Sequence, residues 1–406
     1  MTGSPEVRWR HLPLPVRWLV INQFGVNLGF YLLVPFLAAY LIDDLHVALV
    51  VVGLILGLRN LAQQGMFLLG GSLTDRIGPR PVIIAGCLLR VIGFGLFGFG
   101  QTVPLLIIAA VLTGLAGALF NPAVRAFVAA SAAGQRAAAF SYFAIGGNAG
   151  ALVGPVLGSV LLQADFRLVA LVAAGVFALL TVLQLIWLPA AAPPADRRPL
   201  LAGWWSILIN KRFVIFTLAG SSLFALQNQL YLLLPRRADQ LLGGQVGTVV
   251  IFVVSTVVAL GSQRPVTRAA QSRWGGHRSI MVGIGLIGAG FAVPGVLAAL
   301  PLPVPDPVDF GAVLVATVAL AVGVVIAQPF LLERIADHAP AELTGSYYGA
   351  FYLVSGVIAA ASSALVGAAL DVSPWLPWLI CAALGLGCAA VAALRVTAPA
   401  SNPVPA

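Results

Sequence analysis

Charge is what this sequence has least of. Only 9% of its 406 residues are Asp, Glu, Lys or Arg, against about 25% in an average soluble domain. Mean hydropathy is +1.01. Those values exclude a soluble globular chain and indicate a polytopic membrane protein. Lysine is nearly missing: Lys211 is the single one among 22 basic residues. The formal net charge of +9 rests on arginines concentrated in loops of one side, a membrane-topology pattern, so no nucleic-acid partner is expected. Cysteine is scarce. Cys87, Cys381 and Cys388 lie in apolar runs without metal-ligand spacing and read as small buried apolar side chains. The four histidines, His11, His46, His277 and His338, fall in expected loops or at span ends. With no His, Cys and acid cluster at ligand or triad spacing, neither an enzyme nor a metal site is expected. Of thirteen acids none sits clearly at mid-membrane: Asp75 and Glu333 fall at inner helix ends, and Asp43, Asp44, Asp165, Asp239 and Asp371 at outer ends.

What is abundant is apolar length. A spanning helix takes about 20 mostly apolar residues. Twelve candidate spans fall at roughly 17–42, 46–72, 80–101, 104–130, 138–163, 167–190, 213–236, 244–264, 278–300, 309–334, 343–370 and 374–397. With the N-terminus inside, the inner loops and ends hold Arg8, Arg10, Arg17, Arg76, Arg80, Arg136, Arg197, Arg198, Lys211, Arg212, Arg264, Arg268, Arg273, Arg278, Arg334 and Arg395, against Arg167, Arg236 and Arg237 outside. That imbalance orients the chain with both termini cytoplasmic. The first apolar run is too long for a signal peptide and lacks a small-residue cleavage site, so it is expected to remain as a helix. Trp375 and Trp378, between Pro374 and Pro377, suit an outer interfacial belt.

The one long connection, 191–212, begins near Pro193-Pro194 and carries Trp204 and Trp205. It reads as a cytoplasmic linker with a short amphipathic helix on the membrane surface, dividing a six-helix bundle at 1–190 from another at 213–406. The halves resemble each other. Tyr31-Leu-Leu-Val-Pro35 recurs as Tyr231-Leu-Leu-Leu-Pro235, Asn121-Pro122 as Gln328-Pro329, and Ser141-Tyr142-Phe143 as Ser346-Tyr347-Tyr348, at offsets of 200, 207 and 205. Their common order argues for a duplicated unit. Parallel repeats of this kind build transporters whose substrate site lies between the repeats near mid-bilayer.

The polar residues inside spans are the candidate site. Arg59 and Arg90 lie near the middle of spans 2 and 3, where an arginine costs about 2.5–3.5 kcal/mol on insertion scales. They are expected either to tether helices through carbonyls and amides or to serve in substrate binding or gating. Arg125, nearer the inner end of span 4, can snorkel. Span 1 carries Asn22 and, at spacing four on one face, Gln23, Asn27 and Tyr31; span 2 carries Gln63; span 7 carries Gln227, Asn228 and Tyr231, with Gln227 and Tyr231 also four apart. These are either interhelical glue or the lining of a central cavity.

Two motifs carry a family resemblance. Between spans 2 and 3 stands Gly71-Ser-Leu-Thr-Asp75-Arg76-Ile-Gly78-Pro-Arg80, which resembles the signature loop of the major facilitator superfamily. Span 5 holds glycines at 146, 150, 154 and 158 with Pro155. Small residues at this spacing admit close helix approach, and Gly150, Gly154, Pro155 and Gly158 resemble the antiporter motif of superfamily drug exporters. With Gly57-Leu58-Arg59 and Leu119-Phe120-Asn121-Pro122, the match is most similar to MdtH-like multidrug exporters among the twelve-span drug:proton antiporters. The resemblance implies a rocker-switch transporter exporting amphipathic compounds against protons. It also implies gating roles for Gly71, Asp75, Arg76, Gly78, Arg80 and Arg125. Similar exporters often place an acid in span 1, where this chain has Asn22, and an Arg in span 4, where it has Ala110. Glu333 is then the candidate proton carrier, or else the member of an ion pair with Arg334 or Arg125.

The expected protein is thus an all-α membrane protein of twelve transmembrane helices in two bundles, monomeric, in the plasma (inner) membrane. It is expected to work on a small amphipathic molecule without a cofactor, with the proton gradient as energy source. The alternatives are a facilitator or importer of a metabolite or lipid, and a membrane-embedded sensor or scaffold.

Overall fold

Inside a bilayer no water completes the backbone hydrogen bonds, so each apolar run must close its own as a helix. The computed structural model describes residues 9–100, 102–189, 200–243, 246–301 and 305–396, and among them no strand occurs. The helices are α1 (Leu14–Ala39), α2 (Leu49–Gly65), α3 (Phe67–Ile77), α4 (Pro79–Phe99), α5 (Val103–Ser131), α6 (Arg136–Leu162), α7 (Phe166–Trp187), α8 (Leu200–Ile209), α9 (Lys211–Gln227), α10 (Leu233–Leu242), α11 (Val246–Ala299), α12 (Asp306–His338), α13 (Thr344–Val372) and α14 (Leu376–Val396). Arg8, Arg197, Arg198, residues 191–199 of the expected linker and 302–304 of the Pro-rich loop lie outside the described residues.

Among the described residues nine helical stretches are long and apolar enough to span a bilayer, and α2 with α3, bent by 44°, makes a tenth. The Val246–Ala299 stretch holds two helices divided at Gly275 (φ 69°, ψ 174°); with the apolar α14 the count reaches the expected twelve.

Three local features differ from the expected boundaries, each for a physical reason. The signature stretch is mostly helix: α3 runs through Asp75 and Arg76 to Ile77, Gly78 alone turns the corner at φ 85°, and Pro79 starts α4. A positive φ favours glycine, and proline suits the first helical position. The stretch 264–274, expected as a loop because its arginines end the apolar run, continues α11: Gln263, Thr267 and Ala270 stay buried on one stripe while Arg264 and Arg268 face out. Span 7 is interrupted by the 3₁₀ turn Asn228–Tyr231, so Gln227 and Tyr231 do not share a regular helical face. Pro235 lacks the N–H that the Tyr231 carbonyl would accept in a helix, and the chain breaks one turn before it.

Packing divides the chain into two compact units, Pro5–Val214 with Leu332–Val354, and Ile215–Leu331 with the chain from Ser355 onwards. Within the first, α1 lies along α6, and the span 5 glycines are the contact. A side chain at Gly146 would meet the Val20 carbonyl oxygen at 2.6 Å, and one at Gly154 would meet the Leu28 carbonyl oxygen at 2.9 Å; Gly150 and Gly158 face the carbonyls of Phe24 and Leu32. The contacts step along α1 every four residues, as small-residue packing requires. Within the second unit, Ser221 and Ser355 hydroxyls meet at 2.9 Å and Asn228 Nδ2 donates to Ser363 Oγ at 2.6 Å, joining α9 and its following turn to α13.

Gly150→Val should therefore lower the unfolding temperature in detergent by an amount equivalent to about 1–3 kcal/mol of overpacking. Gly175→Ala, where an added Cβ meets nothing within 4 Å, should leave it unchanged.

Candidate functional site

A connected polar constellation lies where α3 meets the start of α13, within the first unit. Asp75 Oδ1 accepts the Gly345 N–H at 2.6 Å and Oδ2 accepts the Ser346 N–H at 2.7 Å. The first N–H groups of a helix lack partners inside it, and its positive end attracts an anion, so a carboxylate is the matching group. In its own helix Asp75 stands near the negative end, where an acid is disfavoured; its stabilisation comes from α13. Asp75 is 8% exposed. Close approach is made possible by glycine: a Cβ on Gly71 would strike the Gly345 carbonyl, and one on Gly345 would meet Asp75 Oδ1 at 2.7 Å. Beside this contact the Ser72 and Ser346 hydroxyls lie 3.1 Å apart, and Trp204 Nε1 on α8 donates to Ser72 Oγ at 2.7 Å. Asn210 Nδ2 donates to Tyr347 Oη at 3.0 Å, so α8 and the turn after it are held on the same cluster. Trp205 is 65% exposed.

The other gating candidates surround it. Arg80 donates from Nη2 to the Leu185 carbonyl at 2.7 Å, satisfying an acceptor in the last turn of α7. Arg76 occupies the last turn of α3. Arg125 does not reach for solvent. Its Nη1 donates to the Asn121 carbonyl and Oδ1 at 2.9 and 3.1 Å, and its guanidinium lies 4.6 Å from the Tyr352 ring centroid. Arg136, read in the sequence only as an inner-side charge, donates Nε to the Ala129 carbonyl at 2.8 Å and pairs through Nη1 with Asp337 at 2.8 Å. Glu333 stands one turn before Asp337, half-buried, and makes no ion pair with Arg125 or Arg334 among the described residues.

The mid-span arginines are held by rings. Arg90 is 6% exposed, with its guanidinium 5.3 Å from the Phe120 centroid and 5.1 Å from that of Phe177, a cation–π sandwich. Its Nε and Nη1 have no hydrogen-bond partner. Arg59 lies 5.2 Å from the Phe30 centroid and donates Nη2 to Asn60 Oδ1 at 2.8 Å; its Nε and Nη1 are likewise unpartnered. Neither carries an ion pair with an acid among the described residues.

The amides divide between the two readings. Asn22 Oδ1 accepts from Gln184 Nε2 at 2.8 Å, and Gln184 also approaches Cys87 Sγ at 3.1 Å, linking α1, α7 and α4. Asn27 Nδ2 donates to the Gly147 carbonyl at 2.8 Å, and Gln23 Nε2 reaches Asn27 Oδ1 at 3.3 Å. Asn228 is engaged with Ser363 as described. Asn22, Asn27 and Asn228 act as joints between helical elements, and Gln23 bonds within α1. Gln63 lies against Gly117 of α5, Tyr31 edges on Phe30, Gln227 is half-buried, and Tyr231 is 59% exposed beside Phe252. Gln184 is not among the sequence candidates although it is a lone amide in an apolar run, the same signal that picks out span 1. Asp337 and Asn210 are absent from them because their partners are distant in sequence. Among the described residues no group of three or more His, Cys, Asp or Glu side chains is placed to hold a metal ion.

Comparison with known proteins bears on the family and the fold. The Major Facilitator Superfamily model matches residues 19–363. An uncharacterised MFS-type transporter of Mycobacterium tuberculosis is 41% identical over 353 residues, 84% of this chain and 83% of that protein. The multidrug resistance protein MdtH of Aeromonas hydrophila is 33% identical, with 91% and 92% of the two chains covered. In fold, the chain is similar to the fucose:proton symporter FucP of E. coli, at TM-score 0.77 and 14% identity, covering 94% and 98% of the two chains. It is also similar to the human organic anion transporter MFSD10, at TM-score 0.70 and 15% identity over 94% and 100%. The chain is a helical, multi-pass membrane protein and belongs to the major facilitator superfamily.

Proposed function

We propose that this protein is a secondary transporter that exports small amphipathic compounds, with the pH gradient as driving force. The observation that carries the reading is the relationship to proteins named for multidrug resistance, which runs through nine-tenths of both chains. The Asp75 cap on α13 supports an alternating cycle. A carboxylate on two backbone donors stabilises one arrangement of α3 and α13, and transport requires that it form and release. Charge-assisted bonds of this kind contribute about 1.5–3 kcal/mol, enough to shift a two-state equilibrium roughly tenfold or more.

Arg59 and Arg90, lacking acids, support a substrate preference: neutral or anionic amphiphiles over lipophilic cations. The shortage of acids in the spans also supports a second reading, a facilitator without proton coupling, and makes Glu333 the residue on which coupling turns.

In proteoliposomes with an imposed pH gradient, flux of an anionic or neutral amphiphile should collapse with the gradient, and Asp75→Asn should lower it about tenfold or more. Gradient-independent flux selects the facilitator. Glu333→Gln should retain downhill flux and lose the response to the gradient; an unaltered response removes Glu333 as proton carrier. Cation export that persists in the Arg59→Ala, Arg90→Ala double variant, without anion export by the parent, contradicts the substrate preference.

A further inference from the structure

The short helix α8 carries apolar side chains on two opposite faces. One face packs on the protein: a Cβ on Gly203 would meet Leu343 Cδ2 at 3.5 Å, and Ile207 is buried. On the other, Trp205, Leu208 and Ile209 share one side of the helix and are 65%, 65% and 58% exposed. A helix face turned to water carries polar side chains. Three large apolar ones together, an indole among them, suit the boundary between membrane and water. The position of α8 agrees. Trp204 Nε1 donates to Ser72 Oγ near the end of α3, and Asn210 Nδ2 donates to Tyr347 Oη in the first turn of α13, so α8 lies level with the ends of two spans. α3 itself presents Leu69, Leu73 and Ile77, exposed and four residues apart, a stripe of the kind a bilayer covers. Directly after α8 come Lys211 and Arg212, which open the next span, α9. Both are exposed, and neither makes an ion pair with an acid among the described residues. They stand at the level of the lipid headgroups, where their charge complements anionic lipid.

We propose that the exposed face of α8 docks in an anionic lipid surface, and that its links to Ser72 and Tyr347 pass this docking to the Asp75 contact, which tightens where the lipid is anionic. The chain of contacts is short. The Ser72 hydroxyl lies 3.1 Å from that of Ser346, and Asp75 holds the Ser346 N–H. A docked α8 keeps Trp204 and Asn210 within reach of α3 and α13 together, and a ligand that favours one arrangement shifts the equilibrium towards it. The effect is independent of which substrate is carried and of the direction of transport.

The full-length protein in nanodiscs of phosphatidylglycerol or of phosphatidylcholine, with identical acyl chains, gives two readouts. The first is a nitroxide on Leu208→Cys with Cys388→Ser, Cys87 and Cys381 being buried. It should collide with oxygen more often than with a water-soluble nickel chelate, as a lipid-embedded group does. Dominant collisions with the chelate overturn the docking, and so does shielding from both agents, as under a second copy or another part of this chain. The second is hydrogen exchange at Gly345 and Ser346. It should be slower in phosphatidylglycerol by about fivefold or more, the size expected for one or two basic side chains at a charged surface. Lys211→Gln with Arg212→Gln should remove that difference, and Lys211→Arg with Arg212→Lys should keep it. Trp204→Phe with Tyr347→Phe deletes both links; it should remove the difference and leave the nitroxide in lipid. Equal exchange of the wild type in the two lipids overturns the inference, as does a difference that survives in the Gln pair or in the Phe pair.

Discussion

A single carboxylate at the end of one helix, set on the first free N–H groups of another, is the interaction on which the described cluster depends. Asp75 reaches Gly345 and Ser346 only because Gly71 and Gly345 have no side chains to hold the backbones apart. The short α8 then adds Trp204 on Ser72 and Asn210 on Tyr347. Each partner satisfies a group that the apolar surroundings would otherwise leave open, and an open polar group is expensive where water is excluded. The cluster is therefore well defined when made, and its loss exposes several donors together. That combination suits a contact that forms and breaks as a unit.

The same constraint explains the arginines. A guanidinium in the hydrocarbon region needs either an anion or a polarisable face. This chain supplies rings: Phe120 and Phe177 for Arg90, Phe30 for Arg59, Tyr352 for Arg125. Rings hold the charge without cancelling it. That retained positive charge is the packing observation on which the proposed preference for neutral or anionic substrates rests.

Much of the fold is legible in the amino-acid sequence. Twelve apolar runs, the motif at 71–80 and the glycines every four residues from 146 to 158 each have one physical reading, and they locate helices, a tight corner and a close helix contact. What stays hidden has equally physical causes. Arg264 and Arg268 end an apolar run, yet the helix continues because Gln263, Thr267 and Ala270 keep the helical period; hydropathy alone overlooks that stripe. The repeat Tyr31/Tyr231 matches in letters and not in conformation, because the helix breaks ahead of Pro235 and continues past Pro35. Asn22 and Asn27 have the pattern of cavity lining, and their bonds to Gln184 and Gly147 are joints between helices. A sequence shows that an amide is buried; which helix it meets depends on packing across more than a hundred residues.

The central claim is that Asp75 holds the first amides of α13. Hydrogen exchange at Gly345 and Ser346 reads that contact most directly, compared between the wild type and Asp75→Ala. The account predicts exchange at both amides faster by about tenfold or more in the variant, the size expected for losing a charge-assisted bond, with amides in the middle of α13 unchanged. Equal exchange at Gly345 and Ser346 in the two proteins would contradict it.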